Sequence, residues 1–288
     1  AVWQQSYVKS EAYAKSEAYW LEQFKNEVPL IELPTDFPRS GSQTFVGQKF
    51  DYMLTNDFCA KLDKWCRETG ATPFMFLLAV FNVLLAKYSG LEDITIGTTV
   101  AGRNNPDMEK IMGVFINTLA LRNAPAEEKT FYEFLLEVKE NTLQAFEHQM
   151  YPFEDLVEKL GGERDVSRNP LFDTMLVLHN HREYMDETLE PRFYSYEGLN
   201  HNISKFDLTL VATHYEENLL ITLEYSSQLF KRETGEEILK HYIKILKDVL
   251  QDPHQKIRSL SIVSEHEREE LLSRISLKQP LSSSGFDL

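Results

Sequence analysis

Residues able to ligate a metal or attack carbon are few and scattered in this chain. Of 8 histidines only His179 and His181 stand together. At HNH spacing on a strand both point to one face, as two ligands could, but no carboxylate or third histidine follows at fixed spacing, so no metal site is assigned. Cys59 and Cys66 lie seven apart on what reads as one helix, two turns from each other, a poor geometry for a mutual disulfide and a pattern of reduced thiols. No GxSxG offers a nucleophilic serine, neither cysteine has the basic or helix-start setting that lowers a thiol pKa, and the GTT after Ile96 lacks the GxxxxGK[ST] phosphate cradle. No catalytic residue is assigned.

What remains is a set of polar residues crowded where periodicity predicts strand ends. Arg103 follows Ala101-Gly102 after a strand of small and β-branched residues. It reads either as a solvated loop arginine or as a guanidinium reaching across a cleft to a carboxylate. Asn117 sits in VFINTLAL among apolar neighbours; a buried amide must find partners or cost about 1–3 kcal/mol, so it either ties down a loop or faces a polar channel. In HQMYPFED, Tyr151 and Phe153 flank a proline where a helix begins, as a hydrophobic staple or as an exposed docking patch. The run RDVSRNPLFD sets Arg164, Asp165, Ser167, Arg168 and Asn169 ahead of a strand, in keeping with an Asx- or Ser-type turn carrying local ion pairs.

These residues need elements to hold them, and the pattern supplies both kinds. Amphipathic spacing predicts helices over 10–27, from an Asn56 cap to Gly70, from a Thr72 cap through the apolar run PFMFLLAVFNVLLAKY, over 131–148, from near Pro152, and over 233–250. FVGQKFDYML, DITIGTTVAGR, VFINTLALR, LFDTMLVLH, PRFYSY, FDLTLVATHY and NLLITLEYS read as strands, the last two joined by Glu216-Glu217 as a hairpin. Helices and strands mix throughout the 288 residues, which predicts an α/β or α+β sandwich, with α/β the fold class taken: a mixed β-sheet packed with helices. With 30 Lys+Arg against 45 Asp+Glu, the net charge is 30 − 45 = −15. No basic stripe exists to bind nucleic acid, and the longest apolar run is too short for a membrane span. The reduced-thiol pattern suggests a cytoplasmic protein. The start AVWQQSY has no initiator Met or signal-like run and looks cut from something longer.

Four ordered strings resemble the core motifs of the condensation domains of nonribosomal peptide synthetases. AVWQQ is similar to the end of the fourth motif, usually DYAVWQ; IGTTVAGRNNPDMEKIMGVFINTLALR to the fifth; HQMYPFEDLV to the sixth; and RDVSRNPLFDTMLVLHN to the seventh. The likeness covers residues 1–260, and SIVSEHEREELLSRI, within 261–288, is similar to the linker before an adenylation domain.

The resemblance implies a chloramphenicol acetyltransferase-like fold of two lobes around a tunnel, in which an amine attacks a thioester and yields an amide and a free carrier thiol. The chain starts at the fourth motif and has no HHxxxDG, so only the C-terminal, acceptor-side lobe is expected, inactive by itself. The same resemblance implies Arg103 as an interlobe or active-site support, Asn117 and Asn169 as tunnel-facing, and Tyr151 and Phe153 as carrier-protein contacts. The implied partners are the N-terminal lobe, peptidyl carrier proteins and an adjacent adenylation domain. No cofactor is expected beyond the carrier's phosphopantetheine arm. An uncovered lobe surface also points to self-association. A module that binds carrier or adenylation domains without chemistry is the alternative.

Overall fold

The computed structural model describes residues 2–103, 108, 110–161, 165–179, 202–215, 217–263 and 268. Two N-terminal helices, α1 (Val2–Tyr7) and α2 (Glu11–Gln23), precede an irregular crossing and strand β1 (Gly47–Leu54). Then come α3 (Asn56–Thr69), α4 (Pro73–Ser89), β2 (Ile94–Val100), β3 (Asn117–Asn123), α5 (Phe131–Glu147), α6 (Phe153–Leu160), β4 (Thr174–His179), β5 (Leu208–Tyr215), β6 (Asn218–Ser226) and α7 (Arg232–Gln251), with a short 3-10 turn at Ile257–Ser259.

The strands form one six-stranded mixed sheet in the order β1-β6-β5-β4-β2-β3. β5 and β6 pair as the expected antiparallel hairpin; β4 runs parallel to β5 and to β2, the latter at the single register position Gly97↔Met175. The sheet is covered on one face around α4. Thr72 caps this helix by accepting a hydrogen bond from the Met75 amide, and Met75 through Leu85 are buried all round, as an apolar circumference requires. α4 packs against α3, α5, α7 and β2. Leu219, Ile221, Leu223 and Tyr225 of β6 point into this core while their alternating neighbours are only half-buried. Tyr225 lies flat enough on α7 that a Cβ at Gly235 would stand 2.6 Å from its ring.

Several boundaries differ from those read in the sequence. The first long helix spans Glu11–Gln23, starting from a Ser10 cap that accepts from the Tyr13 amide. β1 begins at Gly47, leaving Phe45 and Val46 exposed. β3 begins at Asn117, three residues into VFINTLALR, and Val114 and Ile116 are 89% and 65% exposed. PRFYSY, His181, Arg164 and the linker sequence from 264 onward, apart from Arg268, fall outside the described residues. No single helix among the described residues is long and apolar enough to cross a membrane.

Candidate functional site

Three of the four motif strings meet at one place. Asn117, at the first position of β3, turns its side chain onto the strap between α5 and α6. Its Nδ2 donates to the carbonyls of Gln149 and Tyr151 at 2.8 and 2.7 Å, and its Oδ1 accepts from the Phe153 amide at 3.2 Å. The loop-tying alternative therefore accounts for this amide. Phe153 then opens α6 after Pro152, which stands at the N-cap, and its ring packs on Phe172 at 5.6 Å. Phe172 also stacks on Phe206 at 5.7 Å and covers Gly97 of β2 so closely that a Cβ there would stand 2.1 Å from the Phe172 Cε2. Residue 97 has to be glycine for the aromatic trio to sit down on the sheet.

The expectation that Tyr151 offers its ring to a carrier protein does not hold. The ring is 1% exposed, lies 5.0 Å from that of Tyr13, and its hydroxyl donates to Glu17 at 3.2 Å. Burial, then the Tyr13 hydroxyl, holds the phenol far above its ordinary range. Tyr151 fastens the strap to α2, where Tyr13 donates to Asp155 of α6 at 2.8 Å and Trp20 donates from Nε1 to the His148 carbonyl at 3.1 Å. Phe153 is half-buried.

Arg103 anchors a loop. Its guanidinium donates to the carbonyls of Met108, Ile111 at 3.0 Å and Gly113 at 3.3 Å, and lies over the Phe115 ring at 4.5 Å. Gly102 makes this turn possible: φ is +65°, and a Cβ would stand 1.9 Å from the Phe115 carbonyl oxygen. The anchored loop presents Ile111, Met112, Val114 and Ile116 to solvent at 51, 99, 89 and 65% exposure. Among the described residues no carboxylate pairs with Arg103.

Asn169 belongs to a knot of charges at the other end of the aromatic trio. Its amide donates to Asp173 Oδ1 at 3.0 Å and its Nδ2 to the Lys205 carbonyl at 3.1 Å. Arg168 donates to the other Asp173 oxygen at 2.8 Å, and Arg39, arriving from the irregular crossing, clasps both oxygens of Asp207. Burial pushes the Asp207 carboxyl up against the opposing pull of Arg39. Asp165 accepts from both the amide and hydroxyl of Ser167, which hold its carboxyl below the ordinary range. The Ser-type turn and local ion pairs expected of RDVSRNPLFD are thus present.

The face of the sheet away from α4 carries residues that the sequence reading passed over, with Met175 and Thr209 on it buried. Register aligns Gly97, Met175, Thr209, Glu224 and Lys49 in one row across β2, β4, β5, β6 and β1. Glu224 was legible only as a polar residue in the alternation of NLLITLEYS. Burial pushes its carboxyl above the usual range, with Lys49 opposing and Asp51 reinforcing. His179 ends β4 on this same face and is exposed. Among the described residues no group of three His, Cys, Asp or Glu is arranged to hold a metal. Cys59 and Cys66 are free thiols; burial, then Asp63, pushes Cys66 up to about 12 and Cys59 in the same direction. Neither is poised as a nucleophile.

Comparison with known proteins agrees with this architecture. The chain is 45% identical over 276 residues to tyrocidine synthase 3 of Brevibacillus parabrevis, covering 96% of this chain and 4% of that protein. It is 44% identical over 275 residues to gramicidin S synthase 2 of Aneurinibacillus migulanus, covering 94% and 6%. Its fold matches that of a four-domain nonribosomal peptide synthetase bound to AMP and glycine, with a TM-score of 0.80 at 24% identity over 91% of this chain and 21% of that one. It also matches the X-domain from teicoplanin biosynthesis, with a TM-score of 0.79 at 21% identity over 91% and 61%. These are mixed sheets packed with helices, of the chloramphenicol acetyltransferase-like type. The condensation-domain family model matches residues 1–272, and the chain belongs to the condensation domain family.

Proposed function

We propose that residues 1–260 form the C-terminal, acceptor-side lobe of a condensation domain, with 261–288 a linker toward an adenylation domain. In the full enzyme this lobe supplies one wall of the tunnel in which a carrier-bound amine attacks a carrier-bound thioester. The amine nitrogen forms the new C–N bond, the C–S bond breaks, and the carrier's phosphopantetheine sulfur leaves with the proton. The observation that supports this reading most is the convergence of the fifth, sixth and seventh motif strings on Asn117, Phe153, Phe172 and Gly97.

Amide formation needs the amine held in a near-attack position, which contributes about 7–11 kcal/mol to lowering such a barrier. This sequence has no HHxxxDG motif, and among the described residues no nucleophile–base pair stands open to substrate, so in this reading the lobe shapes the chamber and the partner lobe completes it. Arg103 in this reading fixes the loop 108–116 against the partner lobe, Asn117 sets the strap that borders the tunnel, Asn169 braces the seventh string, and Phe153 contributes to carrier docking near the tunnel mouth.

The test is peptide-bond formation with loaded carrier proteins, with this chain by itself and with the HHxxxDG-bearing lobe added. Product is expected only in the second case, and Arg103→Ala in the completed domain is expected to cut it severely. Turnover by the isolated chain would refute the lobe reading. Binding of carriers with no product in the completed domain would favour the non-catalytic module.

A further inference from the structure

Asn123, the last residue of β3, is 4% exposed and carries a donor that the fold leaves unanswered. Its Oδ1 accepts from Asn141 Nδ2 of α5 at 3.1 Å, but its own Nδ2 is enclosed and has no acceptor among the described residues. The side chain lines a cavity of about 10 Å3 in the wedge between α2, β3 and α5, whose other polar walls are Tyr19, Gln23, Arg122, Asn141 and Thr142. Trp20 of α2 belongs to the same wall, and its indole donates to the His148 carbonyl at the end of α5. The wedge therefore lies at the root of the strap that Asn117 fastens.

An enclosed N–H that donates to nothing costs free energy, because it gave up water on folding and received no acceptor in return. Only a group that accepts recovers this cost, which excludes a cation. Arg122 is the charged side chain of the lining, and the two oxygens of Asp93 hold it at 2.9 and 2.6 Å, so its charge is already matched and selects no anion. Room decides the rest: about 10 Å3 takes one water and nothing with a second heavy atom. A buried water needs roughly two to four polar partners. Thr142 Oγ1, on a residue 1% exposed, spends its proton on the Val138 carbonyl at 2.6 Å and keeps lone pairs with which to accept, and the Asn141 side-chain amide stands on the same wall. We propose that this wedge binds one water molecule, which accepts from Asn123 Nδ2 and donates to Thr142 Oγ1, as a fixed part of the joint between α2, β3 and α5. The site exists whether or not the sheet lines a tunnel.

Oxygen-17 magnetic relaxation dispersion of the full chain counts the water molecules held longer than the protein takes to tumble. Asn123→Leu removes the donor and fills the wedge with apolar atoms, so its dispersion is expected to fall below that of the parent by about one water at an unchanged tumbling time. Equal dispersion in the two proteins overturns the proposal. Should the leucine variant fail to fold, a high-resolution crystal structure of the unmodified chain decides. Density for a single atom within hydrogen-bond distance of both Asn123 Nδ2 and Thr142 Oγ1 supports the site; the Asn123 and Asn141 amides turned to satisfy each other, with no such density, overturns it. Movement of the Asn123 side-chain amide resonance when chloride is exchanged for acetate at constant ionic strength would assign the wedge to an anion, and that result also overturns the assignment to water.

Discussion

Both amide hydrogens of Asn117 and its oxygen are engaged by one strap, so replacing this residue severs three hydrogen bonds and leaves the groups of 149–153 without partners. Asn117→Ala is expected to lower the unfolding free energy by about 1–3 kcal/mol. Urea denaturation reads the loss, and amide exchange at Phe153 should speed up before exchange in α4 does. If exchange accelerates everywhere alike, the strap is not a separate unit. The same scale shows what a string of letters conveys. That Asn117 needed partners followed from its apolar neighbours, but their identity did not, because they are backbone groups about 32–36 positions away. Tyr151 illustrates the opposite error: an aromatic beside a proline looks equally suited to surface or core until Tyr13 and Glu17 of α2 are brought over it.

Helices other than α1, which the sequence reading did not predict, were legible to within a few residues because their start signals are local. α5 begins at Thr130, whose hydroxyl accepts from the Glu133 amide while the Glu133 carboxylate accepts from the Thr130 amide. Thr130→Ala is expected to lower stability by about 1 kcal/mol. The pH dependence follows from Glu133, whose carboxyl is held below its ordinary value of 4.5, first by the Thr130 amide and then by its hydroxyl. A lowered folded-state value means the unfolded chain takes up protons first as pH falls. The contribution is therefore complete above about pH 4.5 and drains away below it as pH falls through the folded value. The difference in thermal midpoint between the parent and Glu133→Gln should shrink on acidification through that window; a constant difference would assign the effect to packing. Strand β3 was less legible for a non-local reason. Val114, Phe115 and Ile116 continue the apolar pattern of the strand, but Arg103 takes the carbonyls of Ile111 and Gly113 and draws the preceding backbone into its own loop. Sheet order was not legible, since β1 pairs with β6 across most of the chain.

At the scale of the whole molecule, the exposed ridge of Ile111, Met112, Val114 and Ile116 competes with a net charge of −15. Apolar contact favours association, while like charge opposes it and is weakened by salt. Sedimentation velocity of the isolated chain should therefore show a mass that rises with concentration, more steeply at high salt, and Met112→Glu with Val114→Glu should abolish the rise. A strict monomer in all conditions would leave the ridge without a self-partner. The sheet itself has an unequal weave. Four strands, β1 to β4 by way of β6 and β5, are laced by long ladders, and β2 and β3 by another, yet the two groups meet at one rung, Gly97 to Met175, with Phe172 seated upon it. Amide exchange is therefore expected to be faster at that seam than within either ladder, and faster still when Phe172→Ala removes the aromatic clasp over Gly97; equal exchange across the sheet would leave the single rung without mechanical consequence.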